Sequence, residues 1–570
     1  MIKRSGWTRE EQIVSDGSNA LAAEEGIKLS SKNLRGSLLE DLGSSEPNLS
    51  GHSEHLLKFH GIYAQDNRDV RRERAQAGEP LEHIFMIRVA IPGGRLSSRQ
   101  WLCLDDIAEE LADGSIRLTT RQAVQFHGVL KFSLQSLSAR LHSHALTSFA
   151  ACGDVVRNTV MCSSLVSDDA HTHVTELADH IARTFKPATQ AHWEIFVNGE
   201  RAASIETGDE IEHSFYGDTY LPRKFKIAIA HPDENCVDVL AQDMGLIPSV
   251  HPELGAGYNV VIGGGLGRSY AQPDTFARLA TPLTFVTPVE LDDVIRAVLI
   301  TYRDLGDRTN RRRARMKYLA VDMGIERFYA EIEQRYGRAL RAPLPVVLTQ
   351  ADDHLGWRTL NDATLEVGLR VGAGRVRDDT KGRGLRSALR ELASARALRF
   401  LITPQQDIVV SAIAPEDRSF VVEVLARHGV RDVADLGGVE RSALACPALP
   451  TCGQALAEAE RRLPSLVSDL QSTMDHTGLG QRRLQLRMTG CPNGCARPAV
   501  AEVGVVGRTK NSYDLYLGGG LRGDRLATLH HEKLKIDEIP AVLEPLLVRW
   551  REEGLVDESF GDFYVRVLLP

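Results

Sequence analysis

The stretch that decides the fold is residues 83–122, HIFMIRVAIPGGRLSSRQWLCLDDIAEELADGSIRLTTRQ. It opens with the apolar residues of a strand, which ends at the Pro-Gly-Gly turn 92–94. The serines at 97–98 are suited to cap a helix with its apolar residues on one face, and Gly114 is suited to end it. A further strand is predicted over residues 116–129, where apolar residues alternate with basic and polar ones. This order of strand, helix and strand indicates an α/β fold.

Parts of this stretch recur later in the chain in the same order, which indicates an internal duplication. The recurring segments are 91–96 with 371–376, 118–122 with 402–406, Arg157 and Cys162 with Arg441 and Cys446, and 261–266 with 516–521. Each match is weak alone, but their shared order predicts two related halves.

The two copies differ in the chemistry they carry. Arg117 and Arg121 of the first copy are replaced by Leu401 and Gln405 in the second. The second copy instead holds four cysteines in two closely spaced pairs. Only one of them, Cys446, has a counterpart in the first copy, which is Cys162. We therefore expect one composite site between the halves, with an anionic ligand on one side and a metal centre on the other. Because no other ligand lies near it in sequence, Cys162 is expected to be an ordinary buried thiol.

Composition narrows the class of protein. The chain has 570 residues, of which 43% are hydrophobic and 25% charged, with a formal net charge of −8. These values are typical of a soluble globular protein and argue against a nucleic-acid binder. No apolar stretch is long enough for a membrane span, and the polar N-terminus lacks the core of a signal peptide. A cytoplasmic enzyme without a membrane or nucleic-acid partner is expected.

The cysteine spacing is the strongest chemical signal. The motifs are C-x5-C at 446–452 and C-x3-C at 491–495. Zinc knuckles have shorter loops than the first motif, whereas four thiolates suit the soft iron of a [4Fe–4S] cluster. A strand through residues 484–488 is expected to lead to the second motif, and a helix over 454–470 to place Cys452 at its N-terminus. The alternative is four unligated buried thiols.

Basic residues recur in segments that otherwise look structured. They are Arg88, Arg117, Arg121, Arg157, Arg223, Lys224 and Lys226, with a run over residues 308–317. Singly, each is typical of a solvated face or a surface ion pair. Together they suit a ligand with many carboxylates or a small oxyanion, because guanidinium groups bind such oxygens in pairs.

A glycine-rich turn at 518–523 fits the GxGxxG pattern of dinucleotide sites. The residues after it do not favour the helix that such a site requires. A tight turn or an anion-binding backbone nest is the preferred interpretation. The chain thus offers no convincing flavin or NADPH domain.

Several motifs together resemble the sulfite and nitrite reductase family, in particular the hemoprotein (beta) subunits of its bacterial assimilatory NADPH-dependent branch. The motifs are KFHGIY at 58–63 with Gln65-Asp66, IRLTTRQ at 116–122 with QFHG at 125–128, TYLPRKFK at 219–226, and the two cysteine motifs. The resemblance runs from about Asn33 to Val567.

This resemblance implies the six-electron reduction of sulfite to hydrogen sulfide at a siroheme coupled to a [4Fe–4S] cluster. It implies a fold with pseudo-two-fold symmetry, built from ferredoxin-like units and larger sheet–helix units. Electrons would come from NADPH through a partner flavoprotein (alpha) subunit that carries FAD and FMN. The alternatives are a ferredoxin-dependent sulfite or nitrite reductase and, in another class, a metal-binding module without turnover.

The resemblance also assigns roles to residues. The implied cluster ligands are Cys446, Cys452, Cys491 and Cys495, the last of which also ligates the siroheme iron. The implied catalytic cations that bind the substrate are Arg88, Arg157, Lys224 and Lys226. The implied siroheme-binding residues are Arg117, Arg121, Gln125, His127, Asn493 and Cys495.

Five units are expected along the chain. They are a polar N-terminal arm at 1–50, which is either mobile with short helices or unstructured, a first ferredoxin-like repeat at 51–150, a first siroheme-binding sheet–helix domain at 151–345, a second ferredoxin-like repeat at 346–430, and a second sheet–helix domain with the cluster cysteines at 431–570.

Overall fold

The computed structural model describes residues 20–163, 169–197, 215–232, 234–348 and 352–569. The strands, in chain order, are β1 (Ile62–Asp66), β2 (His83–Val89), β3 (Arg95–Ser97), β4 (Ile116–Leu118), β5 (Val124–Val129), β6 (Val160–Met161), β7 (Ile227–Ile229), β8 (Met244–His251), β9 (Gly255–Ile262), β10 (Thr281–Val286), β11 (Gly356–Thr359), β12 (Leu365–Leu369), β13 (Arg375–Val376), β14 (Arg399–Ile402), β15 (Ile408–Ile413), β16 (Leu444–Ala445), β17 (Leu486–Thr489), β18 (Val503–Thr509), β19 (Ser512–Leu517) and β20 (Thr528–Leu534).

The helices, in the same order, are α1 (Ala23–Leu29), α2 (Leu38–Gly43), α3 (Gly51–Leu57), α4 (Arg71–Ala77), α5 (Ser98–Leu111), α6 (Leu134–Ser143), α7 (Asp169–Thr184), α8 (Leu291–Leu305), α9 (Met316–Met323), α10 (Ile325–Tyr336), α11 (Leu385–Ala395), α12 (Arg418–Arg427), α13 (Gly438–Ser442), α14 (Leu463–His476), α15 (Ile539–Glu553) and α16 (Phe560–Leu568).

The strands form four sheets of five strands each, in two matching pairs. Two sheets are antiparallel and are called the smaller sheets here, and two are mixed and are called the larger sheets. The two smaller sheets run β1-β2-β5-β4-β13 and β11-β12-β15-β14-β3, with every neighbouring pair antiparallel. The two larger sheets run β6-β7-β8-β9-β10 and β16-β17-β18-β19-β20, and in each the first three strands are parallel. The repeated topology confirms both the α/β class and the internal duplication.

The two halves exchange one strand. β3 of the first half pairs with β14, where Ser97 lies opposite Arg399, and β13 of the second half pairs with β4, where Arg375 lies opposite Arg117. The halves also share a core, since Trp101 of the first stacks on Phe400 of the second with ring centroids 5.2 Å apart. Neither small sheet is complete without the other half.

The helix predicted after the Pro-Gly-Gly turn is confirmed as α5. Ser97 caps it, and Gln100 closes a capping box on the backbone of Ser97. The amphipathic pattern buries Trp101 and Ile107 against the small sheets.

The single strand predicted over residues 116–129 is wrong. The structure has two strands there, β4 and β5, which form an antiparallel hairpin with Leu118 opposite Val124. Gln122 in the turn has a left-handed φ of 50° and donates its amide to the carbonyl of Ile402 at 2.9 Å. The sequence alternation could not reveal this turn, because its partner lies in the other half.

The predicted glycine-rich turn is followed by a strand rather than a helix. The segment runs from β19 through Gly518 and Gly523 to β20, and Gly523 donates its backbone N–H to the carbonyl of Gly520 at 2.8 Å. This geometry agrees with a tight turn and not with a dinucleotide site.

The predicted N-terminal arm packs onto the body from residue 20 onward, and residues 1–19 lie outside the described residues. Lys28 on α1 is buried, donates to the carbonyl of Leu221 at 3.0 Å and pairs with Glu25 at 2.6 Å. The expected boundaries at 50, 150, 345 and 430 stay predictions, and each of the last three falls between two sheets. Across the described ranges, the helices lack the combination of length and apolar character needed to span a bilayer.

We expect Gly374→Ala to destabilise the strand exchange. Gly374 has a φ of 75°, and a Cβ there would lie 2.4 Å from the carbonyl oxygen of Leu118 and 3.0 Å from Cβ of Gln406. Strain of ~2 kcal/mol should lower the thermal midpoint by about 2 °C at a fixed scan rate, because the unfolding entropy of a 570-residue chain is large. Gly372→Ala is the matched control, because an added Cβ there meets nothing within 4 Å. Equal midpoints for the two variants would contradict the prediction.

Candidate functional site

The two cysteine motifs meet at the carboxyl ends of neighbouring parallel strands. Cys446 follows β16 and Cys491 lies just beyond β17, with Ala445 opposite Met488. The backbone N–H of Gly490 donates to Cys446 Sγ at 3.3 Å. Two motifs that are separate in sequence are therefore adjacent, because strands in parallel register end at the same edge.

The helix predicted over residues 454–470 is wrong at its start, because α14 begins only at Leu463. The carbonyls of Cys452 and Ala455 instead accept from Arg68 of the first half, at 2.9 and 2.8 Å. Burial raises the pKa of the Cys452 thiol, and hydrogen bonds from the backbone N–H groups of Gln454 and Ala455 offset this only in part. A turn held by a remote guanidinium thus replaces the expected helix N-terminus.

The four thiols form a group that favours a cluster over a single ion. Cys446 and Cys491 are buried, Cys452 is half-buried and Cys495 is exposed. Burial, assisted by the neighbouring Cys495, raises the pKa of Cys491 to about 12. Their sulfurs are close enough to affect one another's ionisation, yet no three of them lie within 4.8 Å of one another. Four soft donors with this spacing fit a [4Fe–4S] cubane, which holds its thiolates further apart than one zinc ion does.

Cations of the first half surround the exposed Cys495. Arg88 on β2 points its Nη1 at Cys152 Sγ, 3.0 Å away, and its guanidinium lies 6.0 Å from the ring centroid of Tyr63. Burial opposes the charge on Arg88, but Cys152, Tyr63 and Cys495 outweigh it and raise the pKa of Arg88. Arg157 donates its Nε to the carbonyl of Gly153 at 2.7 Å.

Lys224 and Lys226 are two further amines of this pocket, and the protein disfavours the charged form of each. Burial, followed by the nearby Arg121 and Arg315, lowers the pKa of Lys226 to about 7. Burial and adjacent cations likewise hold the pKa of Lys224 well below its usual range. An anion bound beside these groups would restore their charge, so the pocket suits an anionic ligand.

Arg121 and Arg117 are largely engaged by protein groups. Arg121 donates to Gln242 Oε1 at 2.9 Å and to the carbonyl of Ile227 at 3.2 Å, while burial lowers its pKa to about 9. Arg117 is fully buried, pairs with Glu460 and donates to the carbonyl of Ala445 at 2.8 Å. Their assignment to a macrocycle stays a prediction.

Gln125, His127 and Asn493 lie around the same pocket. Gln125, with its amide oxygen facing Arg88, accepts from Arg88 Nη2 at 2.6 Å. His127 on β5 is buried, and neither ring nitrogen has a hydrogen-bond partner among the described residues. Burial, followed by Arg375, lowers its pKa well below the usual value and keeps the imidazole neutral. Asn493 is exposed in the loop between the last two cysteines.

Contacts across the seam fix the pocket. Thr120 Oγ1 donates to the carbonyl of Cys495 at 3.1 Å, and the backbone N–H of Arg268 donates to the carbonyl of Pro492 at 2.8 Å. A Cβ on Gly267 would lie 2.9 Å from the carbonyl oxygen of Asn493, so the two loops touch through glycine backbone. The structure thus brings the thiols of the second half against the cations of the first.

Sequence reasoning missed Cys152 and Asp243, and it gave no partner for Tyr63 or Arg315. Tyr63 hydrogen-bonds with Cys152 beside Arg88, and Arg315 binds Asp243 through Nη2 at 2.8 Å to both carboxylate oxygens. Tyr63 lay within a quoted motif and Arg315 within the basic run, but neither pattern indicated a partner. Cys152 lies in an irregular segment, where periodicity carries no signal.

The pocket fits a large polyanion as well as the thiols fit a cluster. His127, Arg117 and Arg121 each carry a buried ring or guanidinium nitrogen without a partner within the described chain. Buried polar nitrogens are rarely left unbonded, and here they accompany a surplus of cations. A macrocycle with many carboxylates is complementary to this set, although the residues that would contact it stay predictions.

Comparison with known proteins agrees with this geometry. A family model described as the nitrite and sulphite reductase 4Fe-4S domain matches residues 176–340, and one described as the nitrite/sulfite reductase ferredoxin-like half domain matches residues 78–144. Both matches lie in the first half, outside the four-cysteine motifs.

Curated relatives span nearly the whole chain. The sulfite reductase [NADPH] hemoprotein beta-component of Acidithiobacillus ferrooxidans is 43% identical over 561 residues, covering 98% of each chain. Its counterpart in Staphylococcus saprophyticus is 40% identical over 550 residues, covering 96% of each. The structure of Mycobacterium tuberculosis NirA matches with a TM-score of 0.76 and 23% identity over 96% of both chains. This last likeness confirms the predicted fold.

Proposed function

Since the chain belongs to the nitrite and sulfite reductase family, among the hemoprotein beta-components of sulfite reductase, we propose that it reduces sulfite to hydrogen sulfide. The reaction is a six-electron reduction at a siroheme coupled to a [4Fe–4S] cluster. Cys446, Cys452, Cys491 and Cys495 hold the cluster, and Cys495 also faces the siroheme iron.

The observation that carries the proposal is the position of Cys495. It is the exposed member of the four thiols, and it lies within electrostatic reach of Arg88, Arg117 and Lys226. One thiol therefore borders both the cluster group and the cationic pocket. When bound, siroheme and cluster would relay the donor's electrons to the substrate, and that redox chemistry is their own.

The chain's own residues bind the anion and hold protons. Arg88, Arg157, Lys224 and Lys226 are proposed to hold the oxygens of sulfite through charge-assisted hydrogen bonds. Burial lowers the pKa of Lys226 to about 7, and a bound anion would raise it again, so Nζ is proposed to be protonated beside sulfite and to donate to one of its oxygens. Removal of each oxygen as water becomes easier where fixed cations meet the developing negative charge.

A partner flavoprotein is the proposed electron donor. The curated relatives are named for NADPH. Within the described residues, the glycine-rich turns after β9 and after β19 each lead to a strand and not to a helix that could bind a dinucleotide. NADPH, FAD and FMN therefore belong to the partner. The proposed use of NADPH, together with eight cysteines that form no disulfide bond, supports a reaction in the cytoplasm.

We expect the purified protein to show siroheme visible bands and about five irons per chain, four in the cluster and one in the macrocycle. Cys495→Ser should lose siroheme and sulfite reduction, because a serine oxygen is a poor ligand for this iron. Absorption spectra, iron and sulfide analysis and sulfide production from an artificial donor measure these quantities. Cys103→Ser is the control, since Cys103 is a buried thiol outside the site. A colourless protein, or full activity in Cys495→Ser, would contradict the proposal.

Lys226→Ala should lower kcat/KM for sulfite by about 10- to 100-fold while siroheme and iron contents stay at wild-type values. The loss follows from removing one charged donor next to the anion. Lys510→Ala is the control, because Lys510 is exposed on the turn after β18. Unchanged kcat/KM with cofactors bound would remove Lys226 from the site.

The donor is tested by comparing electron sources. NADPH with the flavoprotein should support sulfite reduction at a higher rate than reduced ferredoxin does, because the curated relatives are named as beta-components of an NADPH-dependent sulfite reductase. The rate with reduced methyl viologen normalises each preparation, and nitrite is assayed beside sulfite. Faster turnover with ferredoxin would overturn the donor, and preference for nitrite would overturn the substrate.

A further inference from the structure

A second group of metal-binding side chains lies outside the site described above. Its members are Cys162, Glu234, Cys236 and His354, whose ligand atoms all lie within 4.8 Å of one another. All four are buried, with exposed fractions between 1% and 7%. A buried carboxylate is costly without a cation, and two thiols and an imidazole surround this one, so the grouping calls for a chemical explanation.

The expectation that Cys162 has no partner is wrong. Its Sγ lies 3.0 Å from Cys236 Sγ, and Nε2 of His354 lies 2.9 Å from Oε1 of Glu234. Nδ1 of His354 faces Arg358 at 3.5 Å, which leaves Nε2 directed at the group. The sequence hid these contacts because Cys236 and His354 come from distant segments.

Three parts of the fold converge here. Cys162 directly follows β6, Glu234 and Cys236 lie in the loop between β7 and β8, and His354 precedes β11. The group therefore ties the first large sheet to the start of the second half.

The position of the group mirrors that of the four cysteines. Cys162 follows β6 as Cys446 follows β16. Asp238, with φ 48°, precedes the short 3-10 turn Val239–Ala241, and Arg497, with φ 61°, precedes the turn Pro498–Val500.

This correspondence extends to a second cysteine. Cys236 stands two residues before Asp238, as Cys495 stands two residues before Arg497. Two ligand positions of the four-cysteine site thus have cysteines at the equivalent places of the first half.

We propose that Cys162, Cys236, His354 and Glu234 bind one zinc ion. Two thiolates, one imidazole and one carboxylate are donors that zinc takes in tetrahedral sites. The backbone N–H of Ser163 donates to Cys236 Sγ at 3.4 Å, a contact that supports a thiolate. The separation of 3.0 Å between the sulfurs is well beyond a disulfide bond of about 2.05 Å.

The ion has a structural role. With four protein ligands the coordination is complete, and no open position is left for a substrate. The carbonyl of Cys236 accepts from Gln405 Nε2 at 2.9 Å, and Asp353 beside His354 binds Arg441 through Nη2 at 2.8 Å. The first of these contacts joins the two halves and the second lies within the second half, so fixing this loop fixes one contact across the seam.

The test measures metal content on the complete holoprotein. Wild type, purified without chelator and desalted, should contain about one zinc per chain in addition to iron. Cys162→Ser and His354→Gln should lower zinc at least fivefold while siroheme and iron stay near wild type. Cys103→Ala, a buried thiol elsewhere, should keep the zinc. Cys446→Ser should lose iron and keep zinc, which separates this site from the cluster.

A second measurement tests the proposal on the wild-type protein, so that it does not depend on whether the variants fold. Wild-type protein produced in cobalt-supplemented, zinc-poor medium should carry cobalt with the thiolate charge-transfer and d–d bands of a tetrahedral site, and addition of zinc should abolish them. A wild type that contains less than about 0.1 zinc per chain and takes up no cobalt would overturn the proposal. So would a Cys162–Cys236 disulfide in the intact protein, seen by mass spectrometry after alkylation.

Discussion

The contact between Arg117 and the second half is the constraint on which the composite site depends. Its guanidinium is fully buried, pairs with Glu460 and donates to the carbonyls of Ala373 and Ala445, at 2.8 Å in each case. Ala445 directly precedes Cys446, so a strand of one half sets the position of a ligand in the other. Because a buried guanidinium without its partners is strongly unfavourable, the two halves must close in this one arrangement.

The same closure explains the division of charge. Each half contributes to the seam the carboxyl ends of the parallel strands of its larger sheet, and the two sets of strand ends have opposite chemistry. The second half supplies the four thiols, while the first supplies cations, among which burial and neighbouring cations lower the pKa of Lys226 to about 7 and that of Arg121 to about 9. Such a pocket is unfavourable when it holds no anion, so its energetics select polyanionic ligands.

Much of this could be predicted from sequence, because the signals were local or repeated. The duplication, helix α5 and the cysteine motifs each depend on residues close together in the chain. The failures share another cause. The hairpin at Gln122 is bonded to Ile402, the turn after Cys452 is held by Arg68, and Cys162 faces His354. In each case a residue far along the chain overrides the local pattern, and one sequence carries no record of that pairing.

Contacts between the loop after Cys236 and the loop after Cys495 also bear on why the two duplicated halves keep similar backbones. Asp238 accepts from Arg487 at 2.6 Å and from Arg497 at 2.8 Å, so the loop after Cys236 is bonded directly to the loop after Cys495. Each loop begins its 3-10 turn from a left-handed residue, and each is supported by the other across the seam. A shift in the first loop would leave two buried guanidinium groups without their carboxylate. The loop that follows Cys495 is therefore held in place by the loop that follows Cys236 in the other half.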